Sequence, residues 1–70
     1  MNGEGIMHVN GQQIPMQNGL SLQDFLVQEG YDLHRVAVEK NGHIVPKANY
    51  ETEMLANCDK LEIVHFVGGG

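Results

Sequence analysis

The sequence predicts an α+β domain, a mixed sheet of about four to five strands with one main helix packed across it. Three observations predict it. Two Asn-Gly pairs, Asn10-Gly11 and Asn41-Gly42, each separate short apolar runs, which is the strongest local signal of a tight hairpin. Only residues 21–30 carry both a helix start and a helix stop. The closing run at residues 60–67 is the longest strand-like stretch, alternating at first and then apolar on both faces, as a central strand would be.

Residues 6–9 and 12–16 flank the first Asn-Gly pair, and Pro15, which lacks a backbone N–H, places the second of these strands at an edge or ends it early. Ser21 is positioned to cap a helix. Asp24, three residues on, approximates a capping box and complements the helix dipole. Leu20 and Phe25 occupy the positions of a hydrophobic staple, Leu22, Phe25 and Leu26 share one face, and Gly30 suits the residue just past the helix end. After a connector at residues 31–35, residues 36–40 are β-branched enough for a buried strand. Residues 43–46 supply its hairpin partner, stopped by Pro46. Residues 47–55 read as a loop with one short helical turn and Leu55 pointing inward, and residues 56–59 as a turn. The order β-β-α-β-β-β places the last strand centrally, beside the first.

Seventy residues allow one small domain near the lower limit for a single hydrophobic core, with no room for a large buried active-site cavity. The expected organisation is one domain over residues 1–67, with residues 1–5 loosely held, followed by a flexible glycine tail at residues 68–70. Apolar residues make up 41% of the chain and Trp is absent, which suits a binding or carrier module. A net charge of −5 with four scattered Lys or Arg excludes the basic clusters by which nucleic acid is bound. It fits a basic protein partner better. The single cysteine, Cys58, excludes an internal disulfide framework and favours a reducing compartment. The start of the chain has neither the basic region nor the apolar stretch of a signal peptide, and no segment is long enough to span a membrane, so a cytoplasmic location is expected.

The candidate reactive group is the terminal carboxylate. Phe66 and Val67 lead into Gly68, Gly69 and Gly70, and residues without a Cβ can thread extended through a narrow channel into a partner's active site. Three of them reach roughly 10 Å at ~3.3–3.6 Å each. Such a reach could carry a carboxylate into an enzyme that activates acids, for instance by adenylation with ATP. Phe66 can be read as part of a docking surface or as core, since aromatics are enriched in both.

Other candidates carry less chemistry. Cys58 sits in an expected turn with no second cysteine and no motif to activate its thiol, so it reads as structural or incidental. The histidines His8, His34, His43 and His65 show no close ligand spacing; His8 and His65 are possible neighbours on adjacent strands, and two ligands do not make a zinc site. Glu51, Glu53, Asp59 and Glu62 form a possible acidic rim or a solvated face. Asp24 and Glu29 read as helix-terminal charges rather than an acid and base pair.

Taken together, Val9-Asn10-Gly11, the helix around Leu22-Gln23-Asp24-Phe25-Leu26, the run from Val36 through Asn41-Gly42 to Val45-Pro46, and the close from Asp59 to Gly70 resemble the ThiS family of sulfur carriers over nearly the whole chain. No single piece is specific, but their order and spacing are. The resemblance implies the ubiquitin-like β-grasp fold, with which the element order agrees. It implies that the Gly70 carboxylate is adenylated by an E1-like, ThiF-like enzyme using ATP and converted to a thiocarboxylate, which then serves a ThiG-like thiazole synthase in making the thiazole of thiamine. Gly68 and Gly69 would give reach, and Phe66 and Val67 would dock the partner. On this reading the protein is a non-catalytic cosubstrate that binds no cofactor and no metal. Three alternatives stay open: a MoaD-like small subunit of molybdopterin synthase, a ubiquitin-like protein modifier, and an interaction module with an inert tail.

Overall fold

The computed structural model describes residues 5–16 and 18–67. β1 (Gly5–Val9) and β2 (Gln12–Met16) pair antiparallel, with Met7 opposite Ile14. Between them Asn10 and Gly11 have φ of 51° and 84°. A two-residue turn of this hand needs positive φ at both central positions, which Asn tolerates and Gly adopts freely. β3 (Val36–Lys40) and β4 (His43–Val45) form a second hairpin on the same logic, with φ of 53° at Asn41 and 86° at Gly42. β5 (Lys60–His65) completes a five-stranded sheet of order β2-β1-β5-β3-β4, parallel to β1 and antiparallel to β3. Its central seat beside the first strand is the one the sequence predicts.

α1 (Leu22–Gln28) starts where the Ser21 hydroxyl accepts the Asp24 N–H at 3.0 Å, and ends at Glu29 with Gly30 left-handed at φ 83°. Seven residues are too few for a helix to persist alone. Tertiary burial of Leu22, Phe25 and Leu26 holds it, and these pack in one cluster with Met7, Met16, Val36, Val38 and Leu61 from the sheet. The loop after β4 is tied to the helix start: Leu22 N–H donates to Glu53 C=O at 2.7 Å, Leu55 N–H donates to Leu20 C=O at 3.0 Å, and Ser21 bridges Met54. Leu55 points inward as expected, and the loop's one helical turn is the 3-10 segment Lys47–Asn49.

The structure departs from the sequence reading at several points. Gly5, grouped by sequence with the loosely held N-terminus, opens β1, whereas residues 1–4 lie outside the described residues. The connector at 31–35 contains a 3-10 turn, Leu33–Arg35, capped by Asp32, whose carboxylate accepts the His34 N–H at 2.9 Å. β5 ends at His65 rather than at residue 67, although Phe66 N–H still donates to Arg35 C=O at 2.7 Å. Nor is β5 buried on both faces: Leu61 and Ile63 face the helix while Glu62 and Val64 are exposed, because one short helix covers one side of the sheet only.

Lys40 anchors the loop electrostatically. Its ammonium lies 2.7 Å from Glu53 and 3.7 Å from Asp59 and donates to Met54 C=O. Asp59 is buried but satisfied, accepting also from the Asn41 amide and from Ala56 N–H. The hydrogen bond to Glu53, with the charges of Asp59 and Glu53, holds Lys40 above the ordinary lysine value of 10.5 despite partial burial. Burial raises Tyr50 above the ordinary 10.0.

Two outcomes are expected. Both raised groups stabilise the native state fully below their unfolded values and lose that contribution as pH rises through their native ones, so unfolding free energy should fall above about pH 10. Denaturant melts of Lys40→Met and Tyr50→Phe should each show a shallower alkaline decline, and a wild-type profile flat through that window contradicts the assignment. Ser21→Ala should cost about 1 kcal/mol in urea unfolding with an unchanged slope.

Candidate functional site

The face of the sheet turned away from α1 is apolar at its middle. Strand alternation sends Ala37 and Glu39 of β3, Ile44 of β4, and Glu62 and Val64 of β5 to this side, and the register sets Ala37 opposite Val64 and Glu39 opposite Ile44. These five residues, with Val38, line a shallow depression of about 440 Å³. Ile44 is 74% exposed and Val64 56%, whereas their strand neighbours Val45 and Ile63 on the helix side are each 7% exposed. The next residue in the same alternation, Phe66, is 56% exposed and Val67 is 83% exposed. Phe66 is therefore a surface residue rather than core, and the apolar strip runs from the open face along the strand that leads to the glycines. Gly68, Gly69 and Gly70 themselves lie outside the described residues.

The four acidic residues that could have formed a rim do not share one face. Of Glu51, Glu53, Asp59 and Glu62, only Glu62 lines the depression; Glu53 and Asp59 are engaged with Lys40. Glu39, not singled out from the sequence, stands directly opposite Glu62. Its signal was available in the alternation of residues 36–40, where burial of Val36 and Val38 sends Ala37 and Glu39 to the other face. Like charges facing each other across two strands are unfavourable for the sheet itself. Two carboxylates beside exposed aliphatic side chains fit a partner that presents basic groups around an apolar contact.

The other candidates are not brought together. His8 lies opposite Lys60, so His65, five residues further along β5, is not its neighbour. Among the described residues, no group of three His, Cys, Asp or Glu could hold a metal ion. Cys58 is exposed and free, with φ of 72°, and its N–H donates to Ile6 C=O at 2.7 Å. No helix among the described residues is long and apolar enough to cross a membrane.

Comparison with known proteins agrees with this fold. Residues 6–70 match the sequence model of the ThiS family. Over 66 residues the chain is 35% identical to the sulfur carrier protein ThiS of Bacillus subtilis, covering 93% of this chain and 100% of that protein. Over 64 residues it is 36% identical to part of the thiazole synthase of Magnetococcus marinus, covering 91% of this chain and 20% of that protein. The chain thus spans about a fifth of that relative's length. The crystal structure of the thiamine biosynthesis protein ThiS from Geobacter metallireducens superimposes with a TM-score of 0.73 at 25% identity, covering 93% of this chain and 99% of that one. The fold is the ubiquitin-like β-grasp.

Because Ile44 and Val64 contribute little to the core, Ile44→Asp and Val64→Asp should each leave unfolding free energy within about 0.5 kcal/mol of wild type. Ile63→Asp, one residue away but facing the helix, should cost more than about 3 kcal/mol by burying an unpaired carboxylate. Chemical denaturation of the three variants checks the face assignment; equal losses would contradict it.

Proposed function

The chain belongs to the ThiS family, and from that premise we propose that it is a sulfur carrier for thiazole formation in thiamine biosynthesis, with the sulfur held as a thiocarboxylate on Gly70. A carboxylate resists nucleophilic attack because its charge and resonance oppose it. An E1-like, ThiF-like partner uses ATP to convert it to an acyl-adenylate with release of pyrophosphate. Sulfide then attacks the carbonyl carbon, the bond to the AMP oxygen breaks, and the thiocarboxylate remains. A thiazole synthase resembling ThiG accepts that sulfur.

The division of labour follows from the chain's own residues. Gly69 and Gly68 give a slender arm with no side chain to obstruct a channel. Phe66, Val67, Val64, Ala37 and Ile44 supply apolar contact, and Glu39 and Glu62 favour a basic surround. The carrier provides no acid, base or bound cofactor of its own; ATP belongs to the activating partner, and the setting is cytoplasmic. The observation that carries the reading is the match over essentially all of the Bacillus ThiS protein, combined with an apolar face continuous with the strand leading to the glycines. Thiamine is favoured over a molybdopterin-synthase client by the relative in which the matching segment lies within a protein named thiazole synthase.

Intact-mass measurement after incubation with a ThiF-like enzyme, ATP and sulfide tests the proposal. The wild-type mass should rise by the difference between sulfur and oxygen, and a variant lacking Gly70 should not change. An unchanged wild-type mass, with the enzyme shown active on another carrier, would sink it. Ile44→Asp and Val64→Asp should slow the conversion by about tenfold or more at sub-saturating carrier, as loss of a central apolar contact does at other interfaces.

A further inference from the structure

The last rung between β1 and β5 is made by a side chain. Backbone pairing of the two strands stops with Val9 opposite Leu61, because β1 then turns at Asn10 and Gly11. Asn10 N–H still donates to Leu61 C=O at 2.9 Å. Beyond it the Asn10 side chain takes over: Oδ1 accepts the Ile63 N–H at 2.7 Å and Nδ2 donates to the Ile63 C=O at 3.1 Å. One amide thereby satisfies both polar groups of a β5 residue, as a neighbouring strand would. On the opposite edge β3 holds the same segment, with Val36 opposite His65 and Phe66 N–H on Arg35 C=O.

The second hairpin repeats the device at the other end of β5. Asn41 Oδ1 accepts the Lys60 N–H at 2.9 Å and its Nδ2 donates to Asp59 Oδ1 at 2.9 Å. Both turn asparagines thus grip the central strand, Asn41 at its first residue, Lys60, and Asn10 at Ile63, its last hydrogen-bonded contact on the β1 side. Turn geometry alone does not require this, since glycine adopts the same positive φ.

We propose that Asn10 is a positioning residue for the carrier arm: its amide fixes the direction in which β5 leaves the sheet, and so where residues 66–70 are delivered to the activating partner. The proposal rests on the carrier reading above. Asn10 does not line the open face, so losing its amide leaves docking intact and misplaces the arm. Misplacement by about 1 Å is enough to cost large factors in rate.

Asn10→Gly keeps the turn and removes both bonds to Ile63; Asn10→Asp keeps the acceptor and removes the donor; Asn41→Gly is the control at the far end. In steady-state assays of pyrophosphate release by the ThiF-like enzyme, Asn10→Gly should lower kcat about tenfold with KM for the carrier within about twofold. Asn10→Asp should fall between, and Asn41→Gly should keep wild-type kcat. Amide exchange gives a readout without the partner: Asn10→Gly should speed exchange at Ile63 and Phe66 by at least about tenfold relative to Val38, and Asn41→Gly should not. Unchanged kcat in Asn10→Gly, an equal loss in Asn41→Gly, or unaltered exchange at Phe66 overturns the role of Asn10. Wild-type protein that takes up no sulfur overturns the carrier reading instead, so the two failures are distinct.

Discussion

One helix of seven residues cannot cover both faces of a five-stranded sheet, and the architecture follows from that constraint. The covered side gathers Met7, Val36, Val38, Leu61 and the helix residues Leu22 and Leu26 into a core whose burial, at roughly 1.5–3 kcal/mol per large aliphatic side chain, supplies most of the drive to fold. The uncovered side keeps Ala37, Ile44 and Val64 in water. An exposed apolar face invites self-association, and the net charge of −5, with Glu39 and Glu62 on this face, opposes it. A partner that brings its own apolar surface and positive charge gains from both features at once.

β5 joins stability to function. Its odd-numbered residues Leu61 and Ile63 are core, its even-numbered residues Glu62 and Val64 face the open side, and the chain continues from its end at His65 into the exposed Phe66 and Val67. It pairs with backbone on both flanks, parallel to β1 and antiparallel to β3, and the two turn asparagines fasten it at Lys60 and at Ile63. On the proposed carrier reading, the arm is thereby rooted in a strand paired on both flanks.

Much of this was legible because local rules agree with the global fold. Asn-Gly between apolar runs gave both hairpins, Ser21 and Gly30 bounded the helix, and Pro15 marked an edge strand, as the sheet order bears out. What was not legible depends on residues distant in sequence. The grouping of Lys40 with Glu53 and Asp59 arises only when the loop folds back on the helix start, and those two acids are then neither rim nor merely solvated. The 3-10 turn at Leu33–Arg35 rests on a single Asp32 cap and lacks any periodicity to announce it. β5 was read as apolar on both sides because residues 63–67 look so in sequence; the short helix decides which side is buried. Asn10 and Asn41 were identified as turn formers, and that sufficient local explanation hid their second role as side-chain partners of β5.

The central claim is that the open face and the strand leading to the tail act as one docking surface. Titrating the isotopically labelled protein with a ThiF-like enzyme and following backbone amide resonances tests it most directly. Changes should map to Ala37, Glu39, Ile44, Glu62, Val64, Phe66 and the terminal glycines, with Gln23 and Gln28 on α1 unaffected. Changes concentrated instead along α1 and β2, with the open face silent, would contradict it.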